Sequence, residues 1–223
     1  MRVWDELERG VKRVLVLSPH PDDESIGCGG TLSKHVAEGD SVQAIFLTSG
    51  EQGGHGRPPH ETARIREQEA CAAAAVLGLA GVEFWHEPDG ALHASRHVVD
   101  RLRSTLHTLH PELIYVTYSR DLHADHRAAA RALRHALSAP TCADEKPTVL
   151  MFEVWTPLQQ IDEVVDISSY LEPKLAAIRA HASQCAIMRF DEASLALARY
   201  RGEMHSWPGG DYAEIFSRVC GPS

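Results

Sequence analysis

The chain contains no run approaching the ~18 consecutive apolar residues of a membrane span. Met1 to Gly10 alternate charges where a secretion signal would carry an apolar stretch. Together these absences predict a soluble, cytoplasmic protein. Positive charge is also scarce: 22 Lys and Arg stand against 31 Asp and Glu, for a formal net charge of −9. Attraction to nucleic acid or to an anionic membrane surface needs concentrated Lys and Arg, so the expected partner is a small molecule and no nucleic acid. Cys28, Cys71, Cys142, Cys185 and Cys220 are odd in number and lack C-x-x-C spacing, which signals neither a disulfide frame nor a thiolate zinc site. The turn Gly27-Cys28-Gly29-Gly30 lacks G-x-G-x-x-G spacing and begins nine residues beyond Ser18. Its plainer role is to let a helix approach the preceding loop closely. There is no internal repeat, low-complexity tract or linker. With 223 residues, 43% of them hydrophobic, the chain can build one sizeable core, and a single domain over residues 1–223 is expected.

What is present is an alternation of strand and helix signals. A strand over Arg13 to Leu17 leads into a helix ending near Gly39, a suitable C-terminal cap. Val42 to Leu47 is the next strand, followed by a polar, glycine-rich loop from Thr48 to Pro59. An alanine-rich helix, Glu61 to Leu77, stops at Gly78 and precedes a short strand, Val82 to Trp85. Val98, Leu102, Leu106 and Leu109 repeat at three and four, the spacing of an amphipathic helix before Pro111. Then come a strand over Leu113 to Val116, a loop with His123, a helix from about Arg127 to Leu137, a polar loop from Thr141 to Pro147 and a strand over Val149 to Trp155. Strands alternating with helices imply an α/β fold, a parallel sheet covered on both faces. Between Asp191 and Gly210 only Ala193 to Leu197 reads as helix, and Trp207-Pro208-Gly209-Gly210 reads as a turn.

Two strand ends carry the chemistry. His20, Asp22, Asp23 and Glu24 follow the apolar run Val14-Leu15-Val16-Leu17, and His123-Ala124-Asp125-His126 follows Leu113-Ile114-Tyr115-Val116. In open α/β sheets ligands collect outside the carboxyl ends of strands. Each cluster alone reads as a solvated turn with an aspartate capping the next helix. A histidine beside acids at both strand ends favours instead one shared divalent metal.

Pro19-His20-Pro21-Asp22-Asp23-Glu24 together with His123-Ala124-Asp125-His126 resembles the PIG-L, or LmbE-like, family of zinc-dependent N-acetylglucosaminyl de-N-acetylases. The similarity continues in order through Thr48-Ser49-Gly50-Glu51, Arg66, Glu69, Leu77-Gly78 and Pro88-Asp89-Gly90. It then covers Val165-Asp166-Ile167, Lys174, His181-x-Ser183-Gln184 and Tyr212-Ala213-Glu214-Ile215-Phe216, nearly the whole chain. Ala124 departs from the family's usual proline, which would only stiffen the loop. The resemblance implies a Rossmann-like, mostly parallel sheet with helices on both faces. It implies that His20, Asp23 and His126 ligate Zn2+, leaving a fourth position for water; Fe2+ or another divalent ion suits the same donors. It further implies Asp22 as general base, His123 as donor to the developing oxyanion, Asp125 as the group orienting His123, and Arg66 and Asp89 as residues facing a sugar.

The implied reaction removes acetyl from a small molecule containing N-acetylglucosamine, giving a free amine and acetate. Alternatives of the same chemistry are an amidase on a thiol conjugate and a deacetylase of an aminoglycoside or glycopeptide intermediate. From another class, a catalytically silent sugar-binding module would not need Asp22. A metal phosphoesterase would show more carboxylates for a second cation. The aglycone is not specified by the sequence, and a homo-oligomer is left open. Two features read two ways: Ser49 to His60 as a flexible loop closing over the cleft or as plain surface, and His181 as a cleft residue or as helix packing.

Overall fold

The central strands are short aliphatic runs, each ended by a polar turn. In the computed structural model, which describes residues 10–138, 146–205 and 210–219, seven strands form one sheet. They are β1 (Arg13–Ser18), β2 (Ser41–Phe46), β3 (Gly81–Phe84), β4 (Leu113–Thr117), β5 (Thr148–Phe152), β6 (Glu163–Asp166) and β7 (Ala213–Arg218). Their spatial order is β3-β2-β1-β4-β5-β7-β6. The first five are mutually parallel, whereas β7 runs antiparallel to both β5 and β6. The fold is therefore α/β with a mostly parallel sheet, as expected.

Successive side chains of a strand point to opposite faces. In β1 this sends Leu15 and Leu17 into one core cluster and Val14 and Val16 into the other. Both faces are covered by helices, which is why the run is apolar at every position. The long helices are α1 (Asp23–Ala37), α2 (Pro59–Leu77), α3 (Arg96–Leu109), α4 (Ala124–Leu137), α5 (Leu171–Ala180) and α7 (Phe190–His205), with a short α6 (Ala182–Cys185) between the last two. Gly78 ends α2 in the left-handed conformation, the cap its sequence position predicts.

Three boundaries differ from the sequence expectation in ways that bear on the site. Helix α4 begins at Ala124, so Asp125 and His126 lie in its first turn rather than in a loop. Strand β5 stops at Phe152, because Glu153 turns away to pair with Arg201 and to accept the Leu158 N–H. Helix α1 is broken at Cys28, whose φ of −145° and ψ of 15° are not helical, so Asp23 rides on a short separate first segment. Strands β6 and β7 and helices α5 and α6 have no counterpart among the elements predicted from pattern. Cys142, Cys220, most of the Thr141–Pro147 loop, the Trp207-Pro208-Gly209 part of the late turn and the first nine residues lie outside the described residues.

Candidate metal centre

The chain passes from β1 to β2 on one side and later sets β4 on the other. The loops after β1 and β4 therefore face each other across a crevice at the carboxyl edge of the sheet. The β1 loop is tied to the next strand by hydrogen bonds from Leu47 N–H to the Ser18 carbonyl and from Thr48 N–H to the Pro19 carbonyl, both 2.9 Å. Asp22 has φ of 124°, a left-handed conformation that is strained for a residue with a side chain. It occupies the N-cap position of α1 yet makes no capping hydrogen bond. Its Oδ2 instead accepts from Arg66 Nη2 at 3.0 Å. Arg66 is buried, and its remaining bonds go to the Pro21 carbonyl (2.6 Å) and the Gly50 carbonyl (2.9 Å). A side chain at Gly50, where φ is 63°, would collide with that guanidinium.

Asp23 stands between the two clusters. Its Oδ2 lies 3.1 Å from His20 Nδ1 and its Oδ1 lies 3.2 Å from His126 Nε2. Donor atoms about 2.0–2.1 Å from one tetrahedral ion are roughly 3.3 Å apart, close to the length of each of these two contacts, which engage different oxygens of Asp23. Both nitrogens of His126 are buried with no hydrogen-bond partner: Asp23 is near Nε2 but not aligned to accept from it. A buried imidazole nitrogen left this way fits a metal ligand better than a packing role. The opposite ring nitrogens meet carboxylates, the usual support behind ligating histidines. His20 Nε2 is 3.1 Å from Asp89 Oδ1 and 3.2 Å from Asp125 Oδ2, and His126 Nδ1 is 3.3 Å from Asp121 Oδ1.

His123 completes a trio of imidazoles, with ring centroids 4.8 Å from His20 and 5.0 Å from His126. The ligand atoms of these three histidines lie within 4.8 Å of one another, and the same holds for His20, Asp89 and Asp125. His123 caps α4: its Nδ1 accepts the Asp125 N–H at 3.3 Å. The Asp125 carboxylate is not turned toward His123. Its oxygens accept the N–H groups of Gly90 (2.7 Å) and Leu92 (3.1 Å) and reach His20. Asp89 is similarly engaged, taking the Gln52 N–H at 2.8 Å besides its contact with His20.

Burial and neighbouring charge divide the ionisable groups. Burial pushes Asp22 up to about 6 against the pull of Arg66, with Asp23 adding to the rise. Burial also opposes charge on Asp23, but His126 and His20 outweigh it and hold the carboxyl well below its ordinary value. Burial disfavours charged His126 too, yet Asp23 and Asp121 carry it up to about 9. His123 moves the other way, lowered by burial and by the neighbouring His20 and His126. Adjacent aspartates of opposite tendency beside paired histidines are the kind of arrangement functional sites show.

The family model for PIG-L, described as GlcNAc-PI de-N-acetylase, matches residues 15–137, a span holding both clusters. The chain belongs to the PIG-L family. Its clustered His and Asp side chains, in a hydrolase family built around such a site, mark it as an enzyme. Among PIG-L relatives, the diacetylchitobiose deacetylase of Thermococcus kodakarensis is 29% identical over 94% of this chain and 86% of its own length. The 4-oxalmesaconate hydratase of Pseudomonas putida is 28% identical over 78% of this chain and 74% of its own. The crystal structure of conserved protein TT1542 from Thermus thermophilus superposes with a TM-score of 0.81 and 32% identity, covering 96% of this chain and 97% of that one.

Within this PIG-L fold, His20, Asp22, Asp23, His123, Asp125, His126, Arg66 and Asp89 are all gathered around one crevice. Asp121, which no sequence motif singles out, joins them through His126 and the His123 N–H. The loop from Ser49 to His60 is anchored at Gly50 by Arg66, at Gln52 by Asp89 and at Gly53 by Gln184. His181 is buried, with Nε2 3.5 Å from Glu24 Oε1.

Proposed function

We propose that the chain is a cytoplasmic, single-domain, zinc-dependent deacetylase that hydrolyses the N-acetyl group of a small molecule containing N-acetylglucosamine. The observation that carries this reading is the convergence of His20 Nδ1 and His126 Nε2 on the Asp23 carboxylate, with the uncapped Asp22 next to it, in a PIG-L chain. His20, Asp23 and His126 are the ligand set. A divalent ion held there would polarise the acetamide carbonyl and acidify a water.

The remaining steps belong to side chains. Asp22, oriented by Arg66, takes the proton from the attacking water as that water adds to the acetyl carbon. The cap bond from Asp125 N–H requires His123 Nδ1 to be unprotonated, which puts the ring proton on Nε2. That N–H is the donor to the carbonyl oxygen as negative charge builds there. The C–N bond then breaks, and the proton held by Asp22 passes to the departing nitrogen, leaving acetate and a free amine. Arg66 and Asp89 act here by holding Asp22 and His20: Arg66 Nη2 bonds Asp22, and Asp89 Oδ1 lies against His20 Nε2.

The test is amine release from a panel of N-acetylglucosamine conjugates, with metal content determined on the same sample. Asp22→Asn should keep the metal and lose about 10²–10⁴-fold in kcat, the usual contribution of a general base. Wild-type turnover in that variant would eliminate Asp22 as the base. The hydratase relative supports a second reading, in which the same base helps add water to a carbon–carbon double bond. Loss of ultraviolet absorbance from an unsaturated dicarboxylate, with no amine released from any conjugate, would favour it.

A further inference from the structure

A cleft of about 550 Å³ lies between the 90–95 segment and the outer side of α4. Arg127, Arg131 and His135 line it at four-residue spacing, so they share one face of the helix. Ala124 and Ala128 add only methyl groups to the same wall, leaving room between the cationic side chains and the facing segment. Asp125 is the one carboxylate in the lining, and its oxygens are taken by Gly90 N–H, Leu92 N–H and His20. Arg127 donates to neutral acceptors, the carbonyls of Asp121 and Leu122, so its charge stays uncompensated. Arg131 is exposed and has no hydrogen-bond or ion-pair partner among the described residues. Elsewhere Arg66, Arg101, Arg103, Arg179 and Arg201 each meet a carboxylate. In a chain of net charge −9, two uncompensated guanidinium groups in one cleft are a local reversal of sign.

The cleft adjoins the metal centre through Asp125, whose Oδ2 is 3.2 Å from His20 Nε2. Arg131 lies six residues further along α4, about 9 Å by helical rise. A substrate longer than a monosaccharide spans that distance. We propose that this cleft binds an anionic group, a carboxylate or a phosphate, on the aglycone side of the substrate. Arg131 makes the forked guanidinium contact, and Arg127, tethered through Nη1 to two carbonyls, contributes charge beside it. The part of the substrate at the metal centre rests on the deacetylase reading above.

The experiment uses the metal-loaded enzyme and Arg131→Gln, an exposed change whose folding is checked by thermal melting. Amine release is measured on N-acetylglucosaminides whose aglycones carry a carboxylate, a phosphate, or a neutral amide of the same length. On the same samples, binding of inorganic phosphate and of succinate is followed by calorimetry. The wild-type enzyme is expected to prefer an anionic over a neutral aglycone by roughly ten- to hundredfold in kcat/KM, the worth of a hydrogen bond to a charged group. In Arg131→Gln that preference should collapse and anion affinity should fall at unchanged metal content. The stronger of the two anionic conjugates identifies carboxylate or phosphate as the natural group. Equal kcat/KM for anionic and neutral conjugates, or a preference untouched in the variant, overturns the cleft and leaves deacetylation standing. Amine release from no conjugate overturns the deacetylase reading instead. Calorimetry then decides on the cleft alone: affinity lost in the variant supports it, and equal affinity in both proteins removes it.

Discussion

Asp121 ties the second histidine loop to the segment after β5 through its two carboxylate oxygens. Oδ1 lies 3.3 Å from His126 Nδ1 and accepts the His123 N–H at 2.8 Å, while Oδ2 accepts the Thr156 N–H at 3.0 Å. A carboxylate behind a ligating imidazole fixes its orientation and raises its basicity, and losing such a partner costs about 10–100-fold in metal affinity. Asp121→Asn keeps the shape of the side chain and removes its charge. Its metal dissociation constant is expected to rise by about tenfold or more, measured by competition with a chromophoric chelator. An unchanged constant would reduce Asp121 to a loop-folding role. Nothing in the sequence separates Asp121 from an ordinary solvated turn residue, since it sits between Arg120 and Leu122 in the loop after β4, two positions before His123. Only the fold buries it, at 1% exposure, against a histidine five residues on. Arg66 and Asp89 show the converse. Their residue types suit a sugar contact, but the long reach of Arg66 back to Pro21, Asp22 and Gly50 is a tertiary fact that no local pattern carries.

The break in α1 is held from the far end of the chain. Lys174 Nζ donates to the Ile26 carbonyl at 2.6 Å and to Glu214 Oε1 at 2.6 Å, and reaches the Ser25 carbonyl at 3.4 Å. Glu214 in turn accepts the N–H groups of Gly30 and Thr31 at 3.0 and 2.7 Å. The cation thus closes the C-terminal end of the segment carrying Asp23, and the carboxylate caps the N-terminal end of the rest of α1. Both side chains are buried, and removing one member of such a pair leaves the other's charge uncompensated. Lys174→Met is expected to lower stability by about 3–5 kcal/mol, read from urea denaturation. A loss below about 1 kcal/mol would be the worth of an ordinary exposed pair and would dismiss the brace. The same elements mark where sequence patterning stops being informative. β1, β2 and β4 are legible because each is an aliphatic run with turn chemistry at its end. β6 has only Val164 and Val165 between acids, α5 starts amid polar residues, and β7 contains Glu214 facing inward. Lys174 and Glu214 stand out in the sequence only through family resemblance, because their partners lie 149 and 184 residues away.

Across the whole molecule, the site depends on the sheet's change of direction. β2 and β3 extend the sheet on one side of β1, and β4 and β5 extend it on the other, so His20 and His126 meet only when the two halves are assembled. Among the described residues Asp23 is the sole side chain touching both imidazoles through its two oxygens, and a cation held at that point would tie the β1 loop to the first turn of α4. In the unfolded chain those donors are separated by more than a hundred positions and hold an ion far more weakly. A ligand that binds only the folded state at about 100 times its dissociation constant adds roughly 2.7 kcal/mol to stability. For a chain of 223 residues that corresponds to about 5–10 °C in Tm. Chelation should therefore lower the melting temperature by about that amount, and Zn2+ should restore it. His126→Ala removes one donor from the far loop, so its melting temperature should respond little to chelator or to added Zn2+. The variant also separates the two ways the experiment can fail. Equal melting temperatures with and without chelator in the wild-type protein would show that no ion bridges the two halves. A chelator effect of equal size in His126→Ala would place the bound ion somewhere other than between the loops.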